Sequence, residues 1–351
     1  VRLMDAQIER RQLHVPPRAA PALPATMRAI VQDRYGPSSV LRVEQLPLPA
    51  PAAGEVLVRV AAAGVDRGVW HLMVGRPYPL RAVFGLARPK QRVPGLDLAG
   101  VVVALGPQVE RWAVGDVVFG IGRGTYAQFA CARAEKLAPA PKNLSLERCG
   151  VLAISGLTAL QALRDATALK AGERVLVLGA AGGVGHFAVQ LARALGAHVT
   201  GVCSAAKLDF VRSLGAHEVL DYRRDDFAAA PERFDVIVDI AGNAPLARLR
   251  RALAPRGRLA FVGGENGGEW TFGLERQLAG ALLSRFGAQR FVPLLANEDG
   301  ADMARLAERV ESGELAPHVE RVFALEDTPQ ALAELEAGRV RGKFAIALPT
   351  E

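Results

Sequence analysis

Four apolar residues, Val175–Leu178, lead into the turn Gly179-Ala-Ala-Gly-Gly-Val-Gly185, and a helical apolar period follows at once through Ala192. A short apolar run reads as a strand buried on both faces. Apolar positions three and four apart read as a helix with one buried side. The alternation recurs downstream. Strands are predicted at Arg174–Leu178, His198–Val202, Glu218–Leu220, Val236–Asp239 and Leu259–Val262, with helices between them. Consecutive strand–helix–strand units with right-handed crossovers build a parallel, doubly wound sheet. Upstream, from Met27 to about Gly150, the pattern is shorter and broken by Gly and Pro. Ala29–Gln32, Val56–Val60, Ala99–Ala104 and Val117–Phe119 are its clearest strands. Short strands with frequent turns predict a small barrel-like β domain. The end of the chain returns to amphipathic helices at Asp302–Ser312 and Pro329–Ala337, then to a strand at Lys343–Leu348. That piece has no long βαβ unit of its own and is expected to rejoin the first domain. The expected fold is α/β in two domains, 27–150 with 291–351, and 151–290. Residues 1–26 carry Pro16, Pro17, Pro21 and Pro24 and little pattern, and read as a disordered tail.

Composition narrows the class. A chain of 351 residues is long enough for two separate cores. The formal net charge of +7 is spread out, with no basic stripe interleaved with aromatics, so no nucleic-acid partner is expected. No apolar run approaches a membrane span, so stable membrane insertion is not expected either. Cys131, Cys149 and Cys203 stand apart, with no C-x-x-C pair. That argues against structural zinc and a disulfide framework, and three unpaired thiols fit a cytoplasmic location.

The glycine turn carries the chemistry. A strand that runs through a glycine-rich turn into a helix presents free backbone N–H groups to a pyrophosphate, and the helix N-terminus favours its charge. Ala180, Gly182, Gly183, Val184 and Gly185 are the residues expected around it, with alanine where the usual fingerprint begins with glycine. The next strand ends in Cys203 and Ser204, followed by Lys207. Sites that hold free ribose hydroxyls usually place a carboxylate here. Its absence, with a hydroxyl and an ammonium at hand, points to the 2′-phosphate of NADPH. Tyr222, Arg223 and Arg224 follow the third strand and add a phenol and two cations. The alternative for Lys207 and Arg223 is that they are plain surface charges.

A set of landmarks then falls in order along nearly the whole chain. They are Met27-Arg-Ala-Ile30, Gly54–Val60, Val93-Pro-Gly-Leu-Asp-Leu-Ala-Gly100, Val114–Val118, Gly156-Leu-Thr-Ala159, the glycine turn, Val262-Gly-Gly264 and Gly342-Lys-Phe344. In this order the chain resembles the zinc-free quinone oxidoreductase branch of the medium-chain dehydrogenase/reductase superfamily. The resemblance implies a Rossmann domain inserted into a GroES-like, partly open barrel, with the active site in the cleft between them. Zinc-dependent members hold their metal with Cys, a His-Glu pair and a further Cys or His. The matching positions here are Asp66 and Leu96-Asp97, and leucine cannot ligate a metal.

The resemblance also places candidate residues. Asp66 stands where quinone reductases usually have Asn, His71 where they often have Tyr, and Tyr78 near a second such tyrosine. His71 titrates near neutrality and is a candidate proton donor, or else a half-buried packing residue. Thr158 matches a position beside the nicotinamide, or serves as a helix-start hydroxyl. Ala241, Asn243, Val262, Gly263, Gly264 and Lys343 are expected to hold the nicotinamide and its ribose, largely through backbone groups, with Asn243 and Asn266 also readable as turn residues. His186 reads as structural. The segment 76–92 carries Arg76, Arg81, Arg88, Lys90 and Arg92 with no acid. It reads as a lid, a dock for an acidic substrate, a membrane-surface patch, or a solvated loop with a tucked apolar face.

The implied activity is hydride transfer from NADPH to a small-molecule quinone or α,β-unsaturated carbonyl, without zinc. A metal-free alcohol/carbonyl oxidoreductase and a non-catalytic NADPH-binding sensor or scaffold are the alternatives. A homodimer formed through the edge of the cofactor sheet is expected from the resemblance.

Overall fold

The computed structural model describes residues 23–264, 267–271 and 273–348. The tail reading for residues 1–22 and the turn reading of Asn266 lie outside them. The first part of the chain runs β1 Thr26–Val31, β2 Arg42–Pro47, β3 Glu55–Val65, α1 Arg67–Val74, α2 Arg81–Phe84, β4 Asp97–Leu105, β5 Val117–Ile121, β6 Phe129–Arg133, β7 Leu137–Pro139 and α3 Leu146–Cys149. The middle part runs α4 Ala153–Gln161, β8 Arg174–Leu178, α5 Gly183–Ala194, β9 His198–Cys203, α6 Leu208–Ser213, β10 Glu218–Asp221, β11 Phe234–Asp239, α7 Leu246–Ala252, β12 Leu253–Phe261, α8 Gly268–Thr271, α9 Leu274–Phe286 and β13 Arg290–Pro293. The last part is α10 Gly300–Glu311, β14 Val319–Ala324, α11 Thr328–Glu336 and β15 Lys343–Ala347.

β8 to β13 form one parallel sheet in the order β10-β9-β8-β11-β12-β13. The strand order reverses between β8 and β11, and a crevice opens there at the carboxyl ends of the strands. Along β8, Val175 and Val177 join one core, while Leu176 and Leu178 join the core on the other face. That alternation is why a short run of unbroken apolar residues suits a strand covered on both sides.

β13 lies beyond the boundary at residue 290 that the pattern suggested. It is a four-residue edge strand in which only Phe291 is buried, too short to show a period of two. The cofactor sheet therefore reaches Pro293. At the other end, β1 starts at Thr26, which pairs with Pro47.

The second large sheet has the order β14-β15-β3-β4-β5-β7, with β6 also paired to β3. β15 pairs antiparallel with β3, so the C-terminal strand closes onto the first part of the chain. One core runs through the junction of the two sheets: Ala99, Phe119 and Ala138 pack with Leu152, Leu157 and residues of α5 and α10. That shared core holds the glycine turn against β4, β5 and β7.

Candidate active site

The crevice at the switch point is a groove of about 590 Å³. Its floor is Gly179, Ala181 and Gly182 after β8, with Ala241, Asn243 and Ala244 after β11. Gly179 makes the tight turn, with φ of 86°. It supplies the left-handed residue that the fingerprint's missing first glycine would suggest, and it was not singled out from the sequence. Ala180 does not face the groove. It is fully buried, with its Cβ directed towards Gly201, and so its methyl group is tolerated. Gly185 has no room for a side chain: a Cβ there would lie 2.1 Å from the Gly179 carbonyl oxygen. Val184 packs on the core behind the turn.

At the outer end of the groove stand Ser204, Lys207 and Tyr222, as the sequence placed them. Lys207 donates to the carbonyls of Gly338 (2.8 Å) and Val340 (2.7 Å), and burial lowers its pKa. It therefore ties the groove to the C-terminal segment as well as presenting charge. Arg223 is exposed and sits over the Tyr222 ring, outside the groove lining. Arg67 and Arg248 line the groove instead. Arg248 is held by Asp226 at 2.9 Å. Neither was legible beforehand, because Arg67 comes from the other domain and Arg248 from α7. A tight glycine turn at a helix N-terminus, a hydroxyl, a phenol and cations, with no carboxylate in the lining among the described residues, fit a nicotinamide dinucleotide.

The loops after β11 and β12 are joined by a part-buried ion pair. Arg276 on α9 donates to Asp239 Oδ2 at 2.5 Å and to the Ala244 carbonyl at 2.9 Å. Asp239 is fully buried and its other oxygen accepts from Gly242 N at 3.0 Å. Burial raises the Asp239 pKa, and Arg276 opposes that shift. Gly263 packs on this loop, where a Cβ would lie 2.0 Å from the Ile240 carbonyl oxygen. Val262 and Gly264 flank it. The pair holds the expected nicotinamide wall, through side chains that no local sequence pattern advertises.

Two assignments change. Lys343 is not at the groove surface and Asp66 is not an open catalytic group. Lys343 is 2 % exposed and Asp66 4 %. The Lys343 ammonium is bonded to Asp66 Oδ1, lies 3.4 Å from Asp97 Oδ2 and 3.3 Å from Ser155 Oγ. Ser155 donates to Asp66 Oδ1 at 3.2 Å, and Ile154 N donates to Asp97 Oδ1 at 2.7 Å. A buried ammonium needs carboxylate partners, and β15 delivers it between those on β4 and at the start of α1. The cluster sits behind the glycine turn: a Cβ on Gly183 would lie 3.2 Å from both Lys343 Cδ and Ser155 Oγ. Leu96 offers no donor atom, and among the described residues no group of three or more His, Cys, Asp or Glu is placed to hold a metal.

His71 is half-buried on α1, edge-on to Trp70 at 4.9 Å. Tyr78 donates to Glu269 at 2.9 Å and packs edge-on against Trp270 at 5.0 Å. Arg76 also pairs with Glu269, at 2.6 Å. The segment from residue 76 thus meets α8 as a strap. Its other charges are largely engaged locally: Lys90 on the Val83 carbonyl, Arg92 on Asp33 and Glu44. Its apolar side is not tucked in, since Val83, Phe84 and Leu86 are exposed. Thr158 back-bonds to the Ile154 carbonyl at 2.7 Å within α4. His186 is buried, bonded to Gly182 O at 3.1 Å and accepting from His318 N at 3.3 Å; burial pushes its pKa down to about 3, so it is a neutral structural group.

Comparison with known proteins agrees with this architecture. A family described as alcohol dehydrogenase GroES-like domain matches residues 52–142, and one described as zinc-binding dehydrogenase matches residues 214–346. A chloroplast envelope quinone oxidoreductase homolog of Arabidopsis thaliana is 30% identical over 334 residues, covering 91% of this chain and 98% of that protein. Prostaglandin reductase-3 of Mus musculus is 31% identical, covering 93% and 91%. A mycobacterial protein solved in complex with NADPH superposes with a TM-score of 0.79 at 28% identity, covering 92% of this chain and all of that one. The chain belongs to the quinone oxidoreductase branch of the medium-chain dehydrogenase/reductase superfamily. It is an oxidoreductase with a nicotinamide-dinucleotide fold and a small-molecule substrate.

Proposed function

We propose that the chain is a zinc-independent, NADPH-dependent reductase of quinones or α,β-unsaturated carbonyls. The observation that carries this reading is the groove end formed by Ser204, Lys207 and Tyr222, where no carboxylate lines the groove among the described residues. Each charge-assisted contact to a 2′-phosphate contributes roughly 1.5–3 kcal/mol. Bound NADPH would supply the hydride equivalent. The protein's own residues bind, orient and exclude water. Gly182 and the first N–H groups of α5 hold the pyrophosphate. The Arg276–Asp239 pair fixes the loops on the nicotinamide side. His71 and Tyr78 are the candidate groups for a hydrogen bond to the substrate carbonyl or for the proton, with Thr158 as a further candidate hydroxyl. Leu96, which offers no donor atom, and the carboxylates engaged by Lys343 support the zinc-independent reading.

The homodimer reading has its own support. Among the described residues β13 is an edge strand, paired with β12 alone. α9, packed on it, exposes Leu274, Leu278, Leu282 and Phe286 in one i, i+4 stripe. A second copy covers such a stripe. No helix among the described residues is long and apolar enough to cross a membrane. A cytoplasmic location rests on three buried, unpaired cysteines. Purified protein given NADPH and a panel of quinones and enones tests the reading. Consumption of NADPH unaffected by a chelator supports it; no oxidation above buffer on any member contradicts it and favours the sensor alternative.

A further inference from the structure

We propose that Asp66, Asp97 and Lys343 form a proton site coupled to dinucleotide binding, so that the protein takes up a proton as NADPH seats on the glycine turn. The inference rests on the NADPH reading above.

The cluster is assembled from the start of α1, from β4 and from β15, and Ser155 of α4 completes it. All three ionisable groups are more than nine-tenths buried. Two carboxylates face one ammonium, so with all three ionised the cluster holds an uncompensated negative charge. Burying an isolated charge is costly, and a carboxyl escapes that cost by binding a proton. The geometry offers a place for it. Both carboxyls meet the one Lys343 ammonium, and among the described residues Asp66 Oδ2 is buried with no donor. A proton between the carboxyls supplies that donor. Burial, then the Asp66 charge, raises the Asp97 pKa well above the usual carboxylate range, against the opposing effect of Lys343. Burial alone would lower the Lys343 pKa; the two carboxylates outweigh it and raise it, so the ammonium stays charged.

The remaining polar groups around the cluster stay neutral. Tyr126 donates to the Gly64 carbonyl at 3.0 Å, and burial with both Asp charges raises its pKa. His186 on α5 is neutral, as above, and burial lowers His318 behind it. The proton therefore belongs to the carboxyl pair.

The coupling comes from position. Gly183 opens α5, and the space where its Cβ would lie is 3.2 Å from Lys343 Cδ and Ser155 Oγ. A pyrophosphate seated on that helix start brings negative charge to the far side of a single backbone layer. Added negative charge favours the protonated pair. Dinucleotide affinity is therefore highest at low pH. It falls as pH rises through the titration of the free cluster, and levels off above that of the complex. Reduction of an enone or a quinone consumes one hydride and one proton. The cluster takes up a proton in the same event that brings the hydride source.

The test is calorimetry of NADPH binding in buffers of differing ionisation enthalpy, across pH 6 to about 9, on wild type and Asp66→Asn. Asn is close to isosteric with Asp and removes the second charge. The 2′-phosphate and the groove residues titrate alike in both proteins, so the difference reports the cluster. The expected result is proton uptake by wild type, up to about one per site, and a Kd that rises by up to roughly tenfold per pH unit within that window. In Asp66→Asn, which still binds NADPH, the cluster's share of both is lost, leaving only what the 2′-phosphate and the groove residues contribute. An infrared band of a protonated carboxyl should appear on binding in wild type alone. Equal uptake in both proteins, or no uptake by wild type at any pH, overturns the proposal while leaving the NADPH reading intact. No binding by either protein overturns both.

Discussion

At the scale of single residues, the site is defined by what each position cannot be. Gly185 admits no Cβ within 2.1 Å of a carbonyl oxygen. Gly185→Ala should abolish dinucleotide binding and lower Tm, measured by calorimetry and thermal unfolding. Lys207 carries two duties, and the test must separate them. Lys207→Gln keeps a donor for the Gly338 and Val340 carbonyls while removing the charge. It should weaken NADPH by about ten- to a hundredfold and NADH far less, the range given by one charge-assisted contact. Equal losses in titrations with the two dinucleotides would mean the 2′-phosphate lies elsewhere. Ser204, Lys207 and Tyr222 were legible because they follow strand ends, where the chain must pass the crevice. Arg248 was not, because its approach depends on where α7 lies. Lys343 and Asp66 were misplaced because a partner separated by 277 residues leaves no mark in local sequence.

At the scale of elements, strand alternation and the glycine turn were readable, and the short edge strand β13 was not. The ties between elements were also hidden. α9 holds the crevice loops through Arg276, whose side chain reaches a carboxylate 37 residues away. Arg276→Met leaves Asp239 ionised or protonated without its partner. Asp239 is buried and Arg276 part-buried, so stranding the carboxylate costs up to about 3–5 kcal/mol, to be read from denaturant midpoints. α10 is tied to α4 in a similar way. Asp302 accepts from Arg164 (2.5 Å), Gln161 (3.0 Å) and Arg305 (2.6 Å). Arg164, then Gln161 and Arg305, hold the Asp302 carboxyl well below its ordinary range against the opposing effect of burial. A depressed folded pKa stabilises the fold above the unfolded value, near pH 4, and that contribution is lost as pH falls towards the folded one. Asp302→Asn should therefore flatten the acid limb of the stability–pH profile. An unchanged limb would exclude this tie as its source.

At the scale of the molecule, the chain places a dinucleotide crevice from one sheet against an ionic cluster from the other. The shared core of Phe119, Leu152 and Leu157 makes that contact rigid. Fold class was legible because a parallel sheet and a turn-rich β unit differ in period and in punctuation. The interface was not, since it is made by residues from both ends of the chain. The unpaired edge of β13 and the leucine stripe on α9 predict a homodimer. Leu278→Glu with Leu282→Glu should shift sedimentation from dimer to monomer without loss of helix content. A wild-type monomer at all concentrations would contradict it. The central claim is hydride transfer from NADPH to an activated double bond without a metal. The most direct measurement is mass spectrometry of the product from an enone, with chelator-treated protein and NADPH deuterated at the transferring position. The account predicts a saturated ketone carrying one deuterium at the β-carbon. An allylic alcohol, or turnover that returns only when zinc is added, would contradict it.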